Sequence, residues 1–195
     1  LDGKGDVVID FSAPAAVEKA LPYCEAHKLP IVVCTTGLSE ELQLKIVQLS
    51  RSIPVFKSAN MSMGINVLSE LCKRASAILG ANYDIEIVEQ HHHNKLDAPS
   101  GTAITLAGDI LDRIDRKTRW TSGTTTEPDA LEIASVRRSV VPGIHTVTYE
   151  SEADVLSITH CAKNRCGFAT GAVMAAEFVA GKKGIFSMKD LLGLE

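Results

Sequence analysis

The 195-residue sequence lacks several features, and each lack removes a class of function. It has no long basic run and no interleaving of aromatic with basic residues, and its formal net charge is -4. A phosphate backbone calls for the opposite balance, so no nucleic-acid partner is expected. No apolar run approaches the roughly 20 residues that span a bilayer. The opening Leu1-Asp2-Gly3-Lys4 does not read as a secretion signal, and no membrane partner is expected. Cysteines are few and odd in number, scattered at positions 24, 34, 72, 161 and 166. Most stand among apolar residues, which reads as buried thiols in a reducing, cytoplasmic setting. Cys161 and Cys166 form only a weak pair for a disulfide or a metal. G-x-G-x-x-G, the turn that cradles a dinucleotide pyrophosphate, occurs nowhere. Gly3 and Gly5 precede the first strand instead of following it. A dinucleotide fold is therefore either absent or present without its first unit. Internal repeats and low-complexity segments are also lacking.

What is present suffices for a core, with 45% hydrophobic residues and a mean hydropathy of +0.09. Val7-Val8-Ile9-Asp10-Phe11 reads as a buried parallel strand. Ser12-Ala13-Pro14 opens a helix with Val17, Ala20, Leu21 and Cys24 on one face. Ile31 to Cys34 is a second strand, closed by Thr35-Thr36-Gly37. Ser39-Glu40-Glu41 caps a helix whose stripe is Leu42, Ile46 and Leu49. Pro54-Val55-Phe56 leads to a third strand ending at Ser58-Ala59-Asn60. Such alternation with short loops predicts a parallel sheet covered by helices. Ligands of these sheets bind at the carboxyl ends of the strands. Three small, polar tips stand there: Asp10-Phe11-Ser12, Thr35-Thr36-Gly37 and Ala59-Asn60-Met61-Ser62. Singly each is an ordinary turn; together they point to a cofactor crevice.

Met63 to Leu79 reads as a helix, with Val67, Leu68, Leu71, Cys72, Ala75, Ile78 and Leu79 apolar. Asp84 to Gln90 reads as a partly exposed strand with acids at 84, 86 and 89. A helix capped by Ser100 follows Pro99, its apolar positions being Ile104, Ala107, Leu111 and Ile114. Residues 115–130 are polar and aperiodic, hence a loop. Leu131 to Val141, His145 to Glu150 and Val155 to Cys161 read as antiparallel strands, so the second half changes class to α+β. Phe168 to Val179 is a small-residue helix.

Between strand and helix, residues 91–95 hold His91, His92, His93 and Lys95 ahead of a helix start. If extension continues, His91 and His93 share one side and His92 the other. The spacing matches no closed zinc pattern and no H-E-x-x-H, and no metal is expected. The alternative is proton transfer beside a bound anion. Imidazole titrates near neutrality, Lys95 supplies charge or a proton, and the amides of Ser100, Gly101 and Thr102 can hold a carboxylate. The plainer reading, a solvated loop and a capped helix, suits His93 and Asn94 individually. The density of the set favours a site.

The run Glu89-Gln90-His91-His92-His93-Asn94-Lys95-Leu96-Asp97-Ala98-Pro99-Ser100-Gly101-Thr102-Ala103 resembles the E-x-H-H-x-x-K-x-D-A-P-S-G-T-A signature of the dihydrodipicolinate reductase family. Val8 to Ser12, Thr35-Thr36-Gly37, Ala59 to Asn66, Gly143 to Thr146 and Phe168 to Val173 resemble further segments of it. The resemblance covers essentially the whole chain. It implies NAD(P)H-dependent reduction of 4-hydroxy-tetrahydrodipicolinate, a cyclic dicarboxylate, in lysine and diaminopimelate biosynthesis, with NADPH or NADH as cofactor. It further implies His91 and Lys95 as catalytic groups and His92, Lys95, Ser100, Gly101 and Thr102 as substrate ligands. Ser12, Thr35, Thr36, Gly37, Ala59, Asn60 and Met61 would line the nicotinamide side.

The implied fold is a partial Rossmann-like parallel sheet over 1–62 and 170–195. A mixed-sheet substrate and oligomerisation domain would occupy 63–169, assembled as a homotetramer, with the last helix returning to the first domain. The family opens with a strand and a G-x-x-G-x-M-G turn that has no counterpart here, so the first βαβ unit is expected to lie outside this chain. Other departures are Cys34, Met61, Arg138-Ser139-Val140 and Ile144. A second reading keeps the fold but not the chemistry: a truncated, dicarboxylate-binding oligomeric fragment.

Overall fold

Short β-branched runs alternate with segments whose apolar residues recur every three or four positions, and the chain folds accordingly. A computed structural model describes residues 3–194. In chain order come β1 (Val8–Asp10), α1 (Pro14–Ala26), β2 (Ile31–Val33), α2 (Glu40–Leu49), β3 (Val55–Lys57) and α3 (Met63–Leu79). β4 (Asp84–His91), α4 (Gly101–Leu111), β5 (Arg119–Ser122), β6 (Ala130–Arg137) and β7 (Ile144–Glu150) follow. The last elements are β8 (Val155–Cys161), α5 (Cys166–Val179), β9 (Ile185–Phe186) and α6 (Met188–Leu192). The residues form two compact units, Leu1–Asn66 with Cys166–Glu195, and Val67–Arg165. The class is α/β, a parallel sheet in the first unit and a mixed sheet in the second.

In the first unit the strand order is β1-β2-β3-β9 and every pairing is parallel. Asp10 pairs with Val33, and Val33 with Lys57, so three strands end at one edge in register. β2 is buried on both faces. Ile31 and Val33 pack with Val17, Leu21 and Ile46 of α1 and α2, while Val32 packs with Phe56, Ala172 and Ala175 on the other side. Each such full burial stabilises the fold by about 1.5–3 kcal/mol. Pro14 opens α1, and the Ser39 hydroxyl caps α2 by accepting from the Leu42 amide at 3.2 Å. Gly171 in α5 must be glycine, because a Cβ there would lie 1.8 Å from the Met61 carbonyl oxygen.

Two features of this unit differ from expectation. β1 is not fully buried: Ile9 is 40% and Phe11 53% exposed, because the strand stands at one edge of the sheet. β9 and α6 were not expected. β9 has only two residues, too few for any periodicity, and exists by pairing with β3.

In the second unit the order is β5-β6-β4-β7-β8. β7 pairs antiparallel with β8, as read from the sequence, and also with β4, whereas β6, read as antiparallel, runs parallel to β4 and β5. The long connection through α4 permits this parallel return, which a tight turn could not. β5 lies inside the segment expected to be loop. Its residues are mostly exposed, so the strand is held by pairing with β6 and not by an apolar face.

Helix stripes were displaced. In α3 the buried positions include Ile65, Leu68, Cys72 and Ser76, while Val67, Leu71 and Ile78 are exposed. In α4 the buried face is Ala103, Leu106, Ala107 and Ile110, and Ile104 is exposed. Both helices are apolar on more than one side, so composition alone did not select the inner face. Among the described residues, no helix is long and apolar enough to cross a membrane.

Candidate functional site

β4 is the central strand of the second sheet, and period-two alternation fixes what each residue does. Ile85, Ile87, Glu89 and His91 are buried, whereas Asp84 and Glu86 are exposed. The third acid of the strand is therefore not a surface group. Glu89 is 0% exposed. Register supplies its neighbours: Glu89 pairs with His145 on β7, and His91 pairs with Arg137 on β6.

The Glu89 carboxylate is fully engaged. Its Oε2 accepts from His91 Nδ1. Its Oε1 accepts from Arg137 Nη2 at 2.7 Å and from the Ser100 backbone amide at 3.2 Å. Burial alone would raise the Glu89 pKa, but the Arg137 and His91 contacts outweigh it and hold the group below its ordinary 4.5. His91 is lowered as well, for a different reason. Burial lowers it below 6.5, Glu89 opposes that, and the Lys95 and Arg137 charges push it further down. His145 stacks edge-on against His91 with ring centroids 5.2 Å apart. Burial, then the neighbouring His91, lowers His145 to about 4.

The chain turns after His91, so extension does not continue through His93. His93 and Asn94 form an exposed turn, and His93 Nδ1 donates to the Ser139 carbonyl at 2.9 Å. His92 is half-buried. The Lys95 ammonium is 2.8 Å from Asp97 Oδ1, an ion pair that lowers the Asp97 carboxyl. Arg137 Nη2 also donates to the Asp97 carbonyl at 2.7 Å, so one guanidinium joins the buried carboxylate to the loop.

Ser100 caps α4 by accepting from the Ala103 amide at 3.2 Å, and its hydroxyl shares a 3.1 Å hydrogen bond with His145 Nε2. Its own amide serves Glu89. Ser100 is 2% exposed, whereas Gly101 is exposed and Thr102 half-buried. The accessible start of α4 is therefore Gly101 and Thr102, with Ser100 bracing that turn from below. His91, Lys95, Ser100 and the α4 start thus lie in one unit.

The other candidates lie in the first unit. Asp10 is buried and ties β1 to β2, its carboxylate accepting from Ser12 Oγ at 2.8 Å and Thr35 Oγ1 at 2.5 Å. Ser12, Thr36, Gly37 and Ala59 are exposed at the strand ends. Asn60 Oδ1 accepts from the Ser62 amide at 2.9 Å, and Met61 is 1% exposed within the core. Small, partly exposed, cross-braced tips thus stand at the ends of three adjacent parallel strands, where such sheets bind ligands. Met61 can contribute only its backbone.

Glu89, Arg137, His145 and Gly143 were not singled out. Glu89 was legible, as an acid in phase with Ile85, Ile87 and His91. Arg137 was not, because only the β4–β6 register places it opposite His91.

Comparison with known proteins agrees. The C-terminal model of dihydrodipicolinate reductase matches residues 64–192, and its N-terminal model matches residues 1–61. The 4-hydroxy-tetrahydrodipicolinate reductase of Clostridium novyi (strain NT) is 42% identical, over 98% of this chain and 78% of that protein. The enzyme of the same name from Caldanaerobacter subterraneus subsp. tengcongensis is 43% identical, over 97% of this chain and 77% of that protein. Among solved structures, dipicolinate-bound dihydrodipicolinate reductase from Paenisporosarcina sp. TG-14 superposes with a TM-score of 0.79 at 25% identity. It covers 94% of this chain and 72% of its own. On motif, fold and relatives alike, the chain belongs to the dihydrodipicolinate reductase family.

Proposed function

We propose that the protein is an NAD(P)H-dependent oxidoreductase that reduces 4-hydroxy-tetrahydrodipicolinate to tetrahydrodipicolinate, in the cytoplasm, on the route to diaminopimelate and lysine. The observation that carries this reading is the buried Glu89–His91 pair beside Lys95 and the start of α4, within the family-matched segment. Reduction adds a hydride and a proton across an unsaturated ring that bears carboxylates. When bound, the nicotinamide, as NADH or NADPH, supplies the hydride.

The chain's own residues supply the rest. His91 donates the proton, and its imidazolium stabilises the negative charge that hydride addition builds. Lys95 adds a second positive charge and assists protonation. His92, Lys95, Ser100, Gly101 and Thr102 hold the ring carboxylates, Ser100 by setting the helix start and the others by contact. Ser12, Thr35, Thr36, Gly37, Ala59, Asn60 and Met61 take the nicotinamide side. In domain terms, 1–62 with 170–195 binds cofactor, and 63–169 binds substrate. A homotetramer belongs to the same reading, supported by Val155 and Leu156, apolar and exposed on β8.

Calorimetric titration with pyridine-2,6-dicarboxylate tests the substrate class. Saturable binding is expected, with Thr102→Val and His92→Ala each weakening it about tenfold, the loss of one charge-assisted hydrogen bond. Absence of binding by the wild-type protein would remove the dicarboxylate from the account.

A further inference from the structure

We infer that Glu89 is a positioning residue for proton transfer: it holds the Nδ1–H of His91, so that Nε2 is the nitrogen that carries the transferable proton. The inference rests on the reductase reading for its consequence, but not for its geometry.

Three observations carry it. First, Glu89 is fully buried, yet one of its oxygens is spent on His91 while Arg137 and the Ser100 amide share the other. A purely structural role does not call for this. The β4–β6 and β4–β7 ladders already fix the register, and an apolar side chain would serve the sheet face without the desolvation of a buried ion pair. Second, a carboxylate can only accept, so the shared proton sits on Nδ1, and a second proton must go to Nε2. Third, Nε2 lies against Gly143. A Cβ at that position would stand 3.1 Å from Nε2, so the glycine leaves this nitrogen uncovered. One end of the ring is gripped and the other is kept clear.

The proton balance is simple. The imidazolium gives its Nε2 proton to the ring carbon and becomes the neutral Nδ1–H form. Glu89 stays a carboxylate throughout, and solvent restores the proton. The charged and titratable groups around His91 are Glu89 on its own strand, Lys95 in the next loop, Arg137 on β6 and His145 on β7, with His160 beyond His145. Of these only Glu89 is anionic, so the imidazolium depends on it.

The test uses the full-length protein and two readouts. Imidazole 15N shifts, measured without cofactor or substrate, are expected to show neutral His91 as the Nδ1–H tautomer. In Glu89→Gln the His91 titration is expected to move to lower pH, with tautomers mixed. In steady state, Glu89→Gln is expected to lower kcat by up to about 10⁴-fold, the scale of losses when an orienting carboxylate is neutralised, with KM for the dicarboxylate within about threefold. The limb of kcat that falls as pH rises should move acidwards, because the group must be protonated to donate. Glu89→Asp, which restores the charge, should return the limb toward wild type. An Nε2–H tautomer in the wild-type protein would overturn the inference, and that result stands even if the variants fail to fold. So would a folded Glu89→Gln variant with an unchanged pH profile. A wild-type protein that neither binds nor reduces the dicarboxylate would instead defeat the functional reading, leaving the tautomer measurable.

Discussion

Replacing His91 by alanine in the full-length enzyme is expected to lower kcat by about 10²–10⁴-fold, the range that a positioned general acid contributes. KM for the dicarboxylate should change little, because the proposed function has His91 act on the reacting carbon while other residues hold the carboxylates. The imidazole is nearly buried, between Glu89 on one side and His145 and Gly143 on the other. The adjacent His145 cannot take its place, since burial and the neighbouring His91 lower its pKa to about 4. Lys95→Ala should depress kcat and also raise KM, because the proposed function gives the ammonium both the developing charge and a substrate contact. The double variant should lose less than the product of the two single losses, as groups serving one proton transfer do not act independently. Steady-state kinetics on the three variants check this. Near-normal turnover in both single variants would refute the assigned roles.

Arg137→Ala should destabilise the second unit by about 3–5 kcal/mol at neutral pH, the usual result of removing one partner from a buried ion pair. Arg137 is 19% exposed at its side chain and Glu89 0%, so solvent cannot take over as counter-ion. The variant also loses the tie to the Asp97 carbonyl, which holds the loop that carries Lys95. The pH dependence has a definite sign. The folded-state pKa of Glu89 is depressed below 4.5, so its contribution is present above that value and is lost as pH falls through the folded pKa. The deficit of Arg137→Ala should accordingly be widest above pH 4.5 and narrow below it. His91 and His145 are also depressed, so both forms weaken as pH falls below 6.5, with the His91 share smaller in the variant because the Arg137 charge no longer pushes that imidazole down. Urea denaturation of both proteins across this range checks the prediction. A deficit below about 1 kcal/mol, typical of exposed pairs, would show that the bridge is not buried in solution.

Much of this was legible in the sequence, and the failures share a cause. The strand–helix alternation of the first unit and the cap at Ser39 follow from local periodicity and side-chain chemistry. So does the strand leading into the His-rich loop. What local pattern cannot show is which of two apolar faces is turned inward. That question decided α3, where Leu71 and Ile78 are exposed. Nor can it show pairing between distant strands. β5 and β9 exist through their partners, and Arg137 meets Glu89 across 48 positions of sequence. Among the candidate residues, His91 and Lys95 announced themselves by density, whereas Glu89 was concealed among three acids of one strand. Its phase with Ile85 and Ile87 was the usable signal. Ser100 shows the reverse: the sequence marks it as a ligand, while its hydroxyl and amide are committed to α4, His145 and Glu89.

The central claim is that this protein reduces a cyclic dicarboxylate with a nicotinamide cofactor. The most direct measurement is the initial rate of NADH and NADPH oxidation by the full-length enzyme. The dicarboxylate is generated in situ by the aldolase-catalysed condensation that forms it. Oxidation that requires the condensation product, is inhibited by pyridine-2,6-dicarboxylate and collapses in His91→Ala is the predicted result. Oxidation at the same rate without the condensation product, or none with it, would contradict the account.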